Sequence, residues 1–359
     1  MSEPGSHRDL NEFPPQARFV KRGLLPTAPE ANSHCFGRDR PKLGMSSERS
    51  RGLQMLKGTV SRHIIAFLIG LSGVGVHSSS AQESKPVTPK SGFVTTPDGV
   101  KIHYLAAGPV ADGTNSPAIL FVPGWTMPAD IWEYQIRYFS RRHRVVAMEP
   151  RSYGLSSQAT EGNYPEAHAR DVRAVLDRLQ LRPAVLVGWS LGVDDLLAYI
   201  DQFGTDGVPA VVLVDELLIF QRDSDFMKGY FDFSWNLQKD RPTTTAKFVR
   251  EMYKKPRTEE YLRRITTEAM HTPTSTAIAL LDAWVARDRA PMLAKVDKPT
   301  LIVASSYGGE LPLRNHKEMQ RRIRGSRFEL FEDASHALFV DDADRFNALL
   351  NEFLGRVSR

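Results

Sequence analysis

Val185-Leu-Val-Gly-Trp-Ser190-Leu-Gly192 is an apolar run that stops at a serine framed by glycines. The residues before it, Ala184 to Val187, read as a buried strand. Val193, Leu196, Leu197 and Ile200 then recur at i, i+3, i+4 and i+7, the period of a helix face. Gly188-x-Ser190-x-Gly192 between a strand and a helix is the nucleophile-elbow pattern. A serine hydroxyl is a poor nucleophile until a sharp turn presents it to a base and to N–H groups that receive the developing oxyanion. Glycines two before and two after remove the Cβ atoms that would collide across such a turn. Far downstream, Asp333-Ala-Ser-His336 supplies an imidazole in chain order after the serine. The chemistry implied is acyl transfer, with Ser190 as nucleophile and His336 as base.

Outward from this stretch, short continuous apolar runs repeat at Ala118–Val122, Val145–Met148, Ala210–Val214 and Thr300–Ala304. Phe93–Thr96, a turn at Asp98-Gly99 and Lys101–Ala107 read as a hairpin. Amphipathic stripes at Val172, Val175, Leu176 and Leu179, and at Phe346, Leu349, Leu350 and Phe353, separate or follow the strands. Strands without alternation, interleaved with helices, predict an α/β fold: a mostly parallel twisted sheet covered by helices on both faces. Between about residues 217 and 296 the strand signal gives way to helical, aromatic-rich sequence, including Phe226, Tyr230, Phe231, Phe233, Trp235 and Trp284. This predicts a helical lid inserted after the sixth strand. Its aromatics serve either to line an apolar pocket or to pack the lid onto the body.

The beginning of the chain has a different character. Residues 1–54 are rich in Arg, Pro, Gly and Ser with no sustained apolar period, and read as disordered or as lying upstream of the true start. From Met55, a basic stretch containing Lys57 and Arg62 precedes an apolar run, Ile64–Val76, and the small residues Ser79-Ser80-Ala81. That is the layout of a secretory signal over 55–81, which places cleavage before Gln82 and the protein in the periplasm or outside the cell. The apolar run is short for a membrane helix, which needs about 20 residues; an uncleaved anchor is the alternative. Residues 82–92, with Pro86 and Pro89, read as a linker ahead of a single domain over 93–359.

Residues 1–81 hold 11 basic and 6 acidic side chains, which accounts for the whole formal net charge of +5. The remainder is formally neutral, so the basic balance gives no support to a nucleic-acid partner. The one cysteine, Cys35, also lies in this leader. No His-x-x-x-His, His-x-His or cysteine cluster suggests a metal, and no Gly-rich phosphate loop suggests a nucleotide cofactor. The expected partner is a small acyl substrate, and no stable membrane span is expected after signal cleavage.

Taken together, these residues resemble the α/β-hydrolase superfamily, within it the metal-free esterases and non-haem haloperoxidase-like (perhydrolase) enzymes, over roughly residues 93–355. Besides the elbow, Phe121-Val-Pro123-Gly124-Trp125 stands where the family has His-Gly-aromatic. The resemblance implies an oxyanion hole made by the backbone N–H groups of Trp125 and Leu191. Glu149-Pro-Arg151-Ser-Tyr-Gly154-Leu-Ser156 is similar to a structural Asp-x-Arg-Gly-x-Gly-x-Ser loop, with Glu149 and Ser152 as departures. The acid departs most. Relatives usually place an Asp after the seventh strand, where this chain reads Ala304-Ser-Ser-Tyr-Gly-Gly-Glu310. Asp215, at the end of the sixth strand, is the better candidate, since some members carry the acid there and that strand end lies beside the elbow; Glu310 is the alternative acid, and Glu216 or no acid at all is the remaining reading. Asp194 and Asp195 are expected in the first turn of the following helix, where the macrodipole favours negative charge.

The leading reading of such a site is hydrolysis of a carboxylic ester or related acyl compound through an acyl-enzyme. The alternatives are perhydrolysis, when peroxide replaces the deacylating water, and a non-catalytic binding protein that kept the fold.

Overall fold

A computed structural model of the chain describes residues 87–109, 116–218, 223–306 and 309–357. The expected disordered extension over 1–54, the signal over 55–81 and the first part of the 82–92 linker, residues 82–86, lie outside these residues.

Eight strands form one sheet in the order β1-β2-β4-β3-β5-β6-β7-β8. They are β1 (Lys90–Thr95), β2 (Lys101–Ala107), β3 (Ala118–Val122), β4 (Val145–Met148), β5 (Ala184–Trp189), β6 (Val211–Val214), β7 (Thr300–Ser305) and β8 (Arg327–Phe331). The first two pairings, β1 with β2 and β2 with β4, are antiparallel; all others are parallel. The two-sided burial explains why the central strands read as unbroken apolar runs. Ile119, Phe121, Val185 and Val187 enter one core, while Leu120, Val122 and Leu186 enter the other on the opposite face. Helices α1 (Glu133–Phe139) and α10 (Ala343–Val357) close the first face. Helices α2 (Pro165–Arg178) and α3 (Leu191–Phe203) close the second.

Two strands depart from expectation. β1 starts at Lys90, inside the stretch read as linker, because the polar Lys90-Ser91-Gly92 pairs in register with Tyr104–Ala106. β8 carries charged residues at Arg327 and Glu329 and is half-buried over most of its length, so it gives no apolar run to read.

Among the described residues between β6 and β7 stand four α-helices: α4 (Ser224–Lys239), α5 (Arg241–Glu251), α6 (Glu259–Ala269) and α7 (Thr274–Ala286). Asp223, Asp240 and Thr258 cap the first three, each side chain accepting from a backbone N–H three residues on, the standard start signal for a helix. A separate apolar cluster joins this insertion to the body, built from Leu237, Ala277, Leu280 and Leu281 on one side and Trp125, Tyr153 and Leu191 on the other. Among the described residues no helix is long and apolar enough to cross a membrane.

Candidate active site

The elbow begins where β5 ends. Ser190 has φ 53° and ψ −132°, a left-handed conformation that costs a non-glycine residue of order 1–3 kcal/mol and persists only where surroundings enforce it. They do so here. The Ser190 N–H donates to the Val214 carbonyl at 2.9 Å, and its own carbonyl accepts from Val193 N–H at 2.7 Å as α3 starts. A Cβ on Gly188 would lie 2.5 Å from the Gly192 carbonyl oxygen, and one on Gly192 would lie 2.5 Å from that of Val122. The turn is therefore closed to any larger residue at both glycines. Leu191, the first residue of α3, has an N–H without an intrahelical acceptor, as all first-turn N–H groups do.

Opposite the elbow runs the loop after β3. A Cβ on Gly124 would stand 2.9 Å from Ser190 Cβ, so glycine here is what lets the loop pass this close to the serine. Trp125 is fixed at its other end, where the indole N–H donates to the Ala277 carbonyl in α7 at 2.7 Å. The buried Arg241 guanidinium lies over the indole ring, 5.3 Å from its centroid. With burial as the cause, its pKa falls to about 10.

His336 and Asp215 meet. His336 Nδ1 lies 2.9 Å from Asp215 Oδ2. Asp215 follows β6 with φ 49°, and its carboxylate accepts twice from Ser305 at the end of β7, from the N–H at 2.7 Å and from the hydroxyl at 2.9 Å. Glu310, by contrast, is exposed at the first position of α8 (Glu310–Arg322). Glu216 is buried and accepts from the Trp284 indole N–H at 2.9 Å. Burial first, and the charge of Asp194 second, hold its carboxyl well above the usual range.

Sequence reasoning missed the groups that hold the histidine. Trp189, the residue between Gly188 and Ser190, donates its indole N–H to the His336 carbonyl at 2.9 Å and lays its ring 5.1 Å from the imidazole. Buried Asp341 accepts from the N–H groups of Ser335 and Lys254 at 2.8 Å each, tying the histidine loop to the turn after α5. Their only sequence signal is proximity to the motifs. His316, in α8, is also buried beside the site, with Nδ1 2.7 Å from the Pro312 carbonyl and Nε2 3.9 Å from Asp215 Oδ1. Burial lowers its pKa, and the Asp215 charge opposes that shift.

Asp194 and Asp195 do occupy the first turns of α3, but they are buried rather than solvated. Asp195 faces His168 at 3.2 Å and Asp194 faces the buried Arg289 at 3.5 Å. Burial pushes Asp194 up to about 7 against the pull of Arg289.

Ser190, Asp215, His316 and His336 border one cavity of about 280 Å³. The rest of its wall is largely apolar: Trp125, Leu191, Leu217 and, from the insertion, Phe233, Phe248, Leu281 and Trp284.

A family model described as the alpha/beta hydrolase fold matches residues 117–343. The chain belongs to this family. Among relatives of the α/β hydrolase, a non-haem haloperoxidase of Rhodococcus erythropolis is 25% identical over 276 residues, 73% of this chain and 98% of its own. A bifunctional esterase/perhydrolase of Acinetobacter calcoaceticus is 37% identical over 124 residues, 34% of this chain and 44% of its own. The fold is also similar to that of an esterase from Exiguobacterium antarcticum, with a TM-score of 0.67 at 23% identity, covering 74% of this chain and 100% of that one. The chain is thus an enzyme of the hydrolase class, with esterases and haloperoxidases as its kin.

Proposed function

We propose that this α/β hydrolase cleaves a carboxylic ester, or a related acyl compound, through an acyl-enzyme on Ser190. His336 takes the serine proton and returns it to the leaving alcohol. Asp215 orients His336 and stabilises its charged form. The backbone N–H groups of Trp125 and Leu191 hold the oxyanion. Water, deprotonated by the same imidazole, then releases the acid. One observation carries this reading: the 2.9 Å contact between His336 and Asp215 at the wall of the cavity that Ser190 also borders. Glu310, the alternative acid, stands exposed at the start of α8.

The apolar wall favours a substrate with an apolar acyl or alcohol group, and helices α4 to α7 act as its lid. A fluorophosphonate probe tests the mechanism. It should label the protein at Ser190 and lose that site in Ser190→Ala; a folded wild type that stays unlabelled there would instead favour a binding protein.

The relatives named as haloperoxidases and as an esterase/perhydrolase support a second use of the same acyl-enzyme. Hydrogen peroxide in place of water gives a peracid, which oxidises bromide. Bromination that requires both acetate and peroxide, and that disappears in Ser190→Ala, would establish it.

Export completes the proposal, with 55–81 as the signal and a start at Met55. Its support is the basic, then apolar, then small-residue order of that stretch. N-terminal sequencing of exported protein should find Gln82 or a near neighbour first.

A further inference from the structure

A second serine, histidine and carboxylate lie in line at the other end of the sheet. Ser91 Oγ is 2.8 Å from His103 Nε2, and His103 Nδ1 is 2.9 Å from Glu149 Oε2. None of the three borders the Ser190 cavity. Strand register brings them together. Phe93 pairs with His103 across β1 and β2, which sets Ser91 two residues along on the same face. Glu149 follows β4 and donates its N–H to the His103 carbonyl at 3.0 Å, which places it opposite His103.

The hydrogen bonds fix the direction of the relay. Glu149 accepts the backbone N–H groups of Ala129 at 2.9 Å and Leu155 at 2.7 Å, groups that can only donate. Its carboxylate is thereby left to accept from His103 Nδ1–H as well. The His103 Nε2 lone pair then faces Ser91, whose hydroxyl donates to it. The imidazole and carboxylate are buried while the serine is exposed, so the base is shielded and the nucleophile is open to solvent. Phe93, 53% exposed, sets its ring 5.2 Å from the imidazole and offers an apolar surface beside the hydroxyl.

We propose that Ser91 is a second nucleophilic serine, which accepts an acyl or phosphonyl group from activated esters in solution. Ser91 Oγ attacks the carbonyl carbon of an aryl ester and its proton passes to His103 Nε2. The bond from that carbon to the aryl oxygen breaks, the aryloxide leaves and takes up the proton, and Ser91 remains esterified. With a fluorophosphonate the bond broken is P–F, and fluoride departs. Ser91 is exposed to solvent, unlike Ser190 at its cavity, so the expected product is a modified protein rather than turnover.

The experiment uses the full chain with Ser190→Ala, so that the principal site is silent. The protein is incubated with p-nitrophenyl acetate, and acetylation is followed by peptide mass spectrometry. Ser91 should be acetylated at least tenfold faster than Ser224 and Ser275, two exposed serines of the same molecule. Adding His103→Gln should slow Ser91 by about 10²-fold or more, the usual contribution of a general base. Adding Ser91→Ala should remove that label and leave the wild-type Ser190 activity unchanged when placed alone. Ser91 labelling no faster than Ser224 and Ser275 overturns the proposal without any need for the His103 variant to fold. Equal Ser91 rates with and without His103 overturn it too. Neither result bears on Ser190, which is judged by its own labelling in the wild-type chain.

Discussion

The two serine, histidine and carboxylate lines of this molecule have nearly the same acid-to-imidazole spacing and very different surroundings. Asp215 to His336 and Glu149 to His103 are both 2.9 Å. Ser190 sits on a strained elbow that borders a 280 Å³ cavity, beside a helix N-terminus and a glycine loop. Ser91 sits on an edge strand in ordinary extended pairing with β2. The comparison separates what a polar relay supplies, a deprotonated hydroxyl, from what a site supplies. The first line borders a cavity walled largely by apolar side chains, and the proposed oxyanion donors, the N–H groups of Trp125 and Leu191, belong to residues of that wall. Turnover is expected of the first and slow modification of the second.

Deleting each nucleophile gives the largest contrast. Ser190→Ala should lower kcat for ester hydrolysis by on the order of 10⁶-fold, the loss seen when a triad serine is removed. Ser91→Ala should leave it within experimental error, as measured by steady-state p-nitrophenyl ester hydrolysis. If Ser91→Ala removed most of the turnover, the assignment of roles would be reversed.

The acids come next. Asp215→Asn should cost about 10⁴-fold in kcat, because the amide holds the wrong histidine tautomer. Glu310→Gln should change it less than twofold. Glu149→Gln should act on stability instead. Its carboxylate also accepts two backbone N–H groups, and weakening such buried partners costs about 1–3 kcal/mol. Parallel kinetics and thermal melts of the three variants distinguish the two kinds of carboxylate.

How far these roles are legible in the sequence follows from what each part needs locally. Ser190 is written into five consecutive residues, because the elbow's glycines and strand are its immediate neighbours. β3, β5 and β7 are equally plain, since burial on both faces demands unbroken apolar runs. β8 is not, because an edge strand carrying Arg327 and Glu329 looks like surface. Ser305, Trp189 and Asp341 are ordinary residues whose work depends on partners distant in sequence: Ser305 on Asp215, Trp189 on His336, Asp341 on Lys254. The Ser91 line is hidden for the same reason. Three strands must be in register before its members meet, and none of them stands in a motif that predicts the other two.

The glycine loop sharpens the contrast at a smaller scale. Gly124→Ala would place a methyl group 2.9 Å from Ser190 Cβ, and backbone must move to relieve it. Displacing the Trp125 N–H should cost about 10²–10³-fold in kcat, the value of one oxyanion donor. Fluorophosphonate labelling of Ser190 should fall alongside turnover, while Ser91 labelling should not change. Loss of both labels would mean general unfolding rather than a displaced donor.

The smallest effect concerns the charge behind the elbow, which the Ser91 line lacks in this form. Asp194, in α3 four residues after Ser190, is buried with its pKa raised to about 7, burial outweighing Arg289. An unfolded chain has the ordinary aspartate value of about 3.9. Between these two values the folded protein holds a proton that the unfolded chain has released, so the wild type loses stability as pH rises from about 4 to about 7. Asparagine does not titrate. At low pH Asp194 is itself neutral in the fold, so Asp194→Asn keeps a neutral group beside Arg289 and differs from the wild type chiefly in lacking the titration. The wild type's stability relative to the variant should therefore fall as pH climbs through the window and stay constant above it. Thermal melts of both proteins at pH 5 and pH 8 should show the variant's Tm rising relative to that of the wild type by a few degrees, since 1 kcal/mol moves Tm by about 2–4 °C in a domain of this size. A relative Tm that stayed level or fell would mean that Arg289 holds Asp194 ionised in the fold, and that the buried pair is fixed rather than titrating.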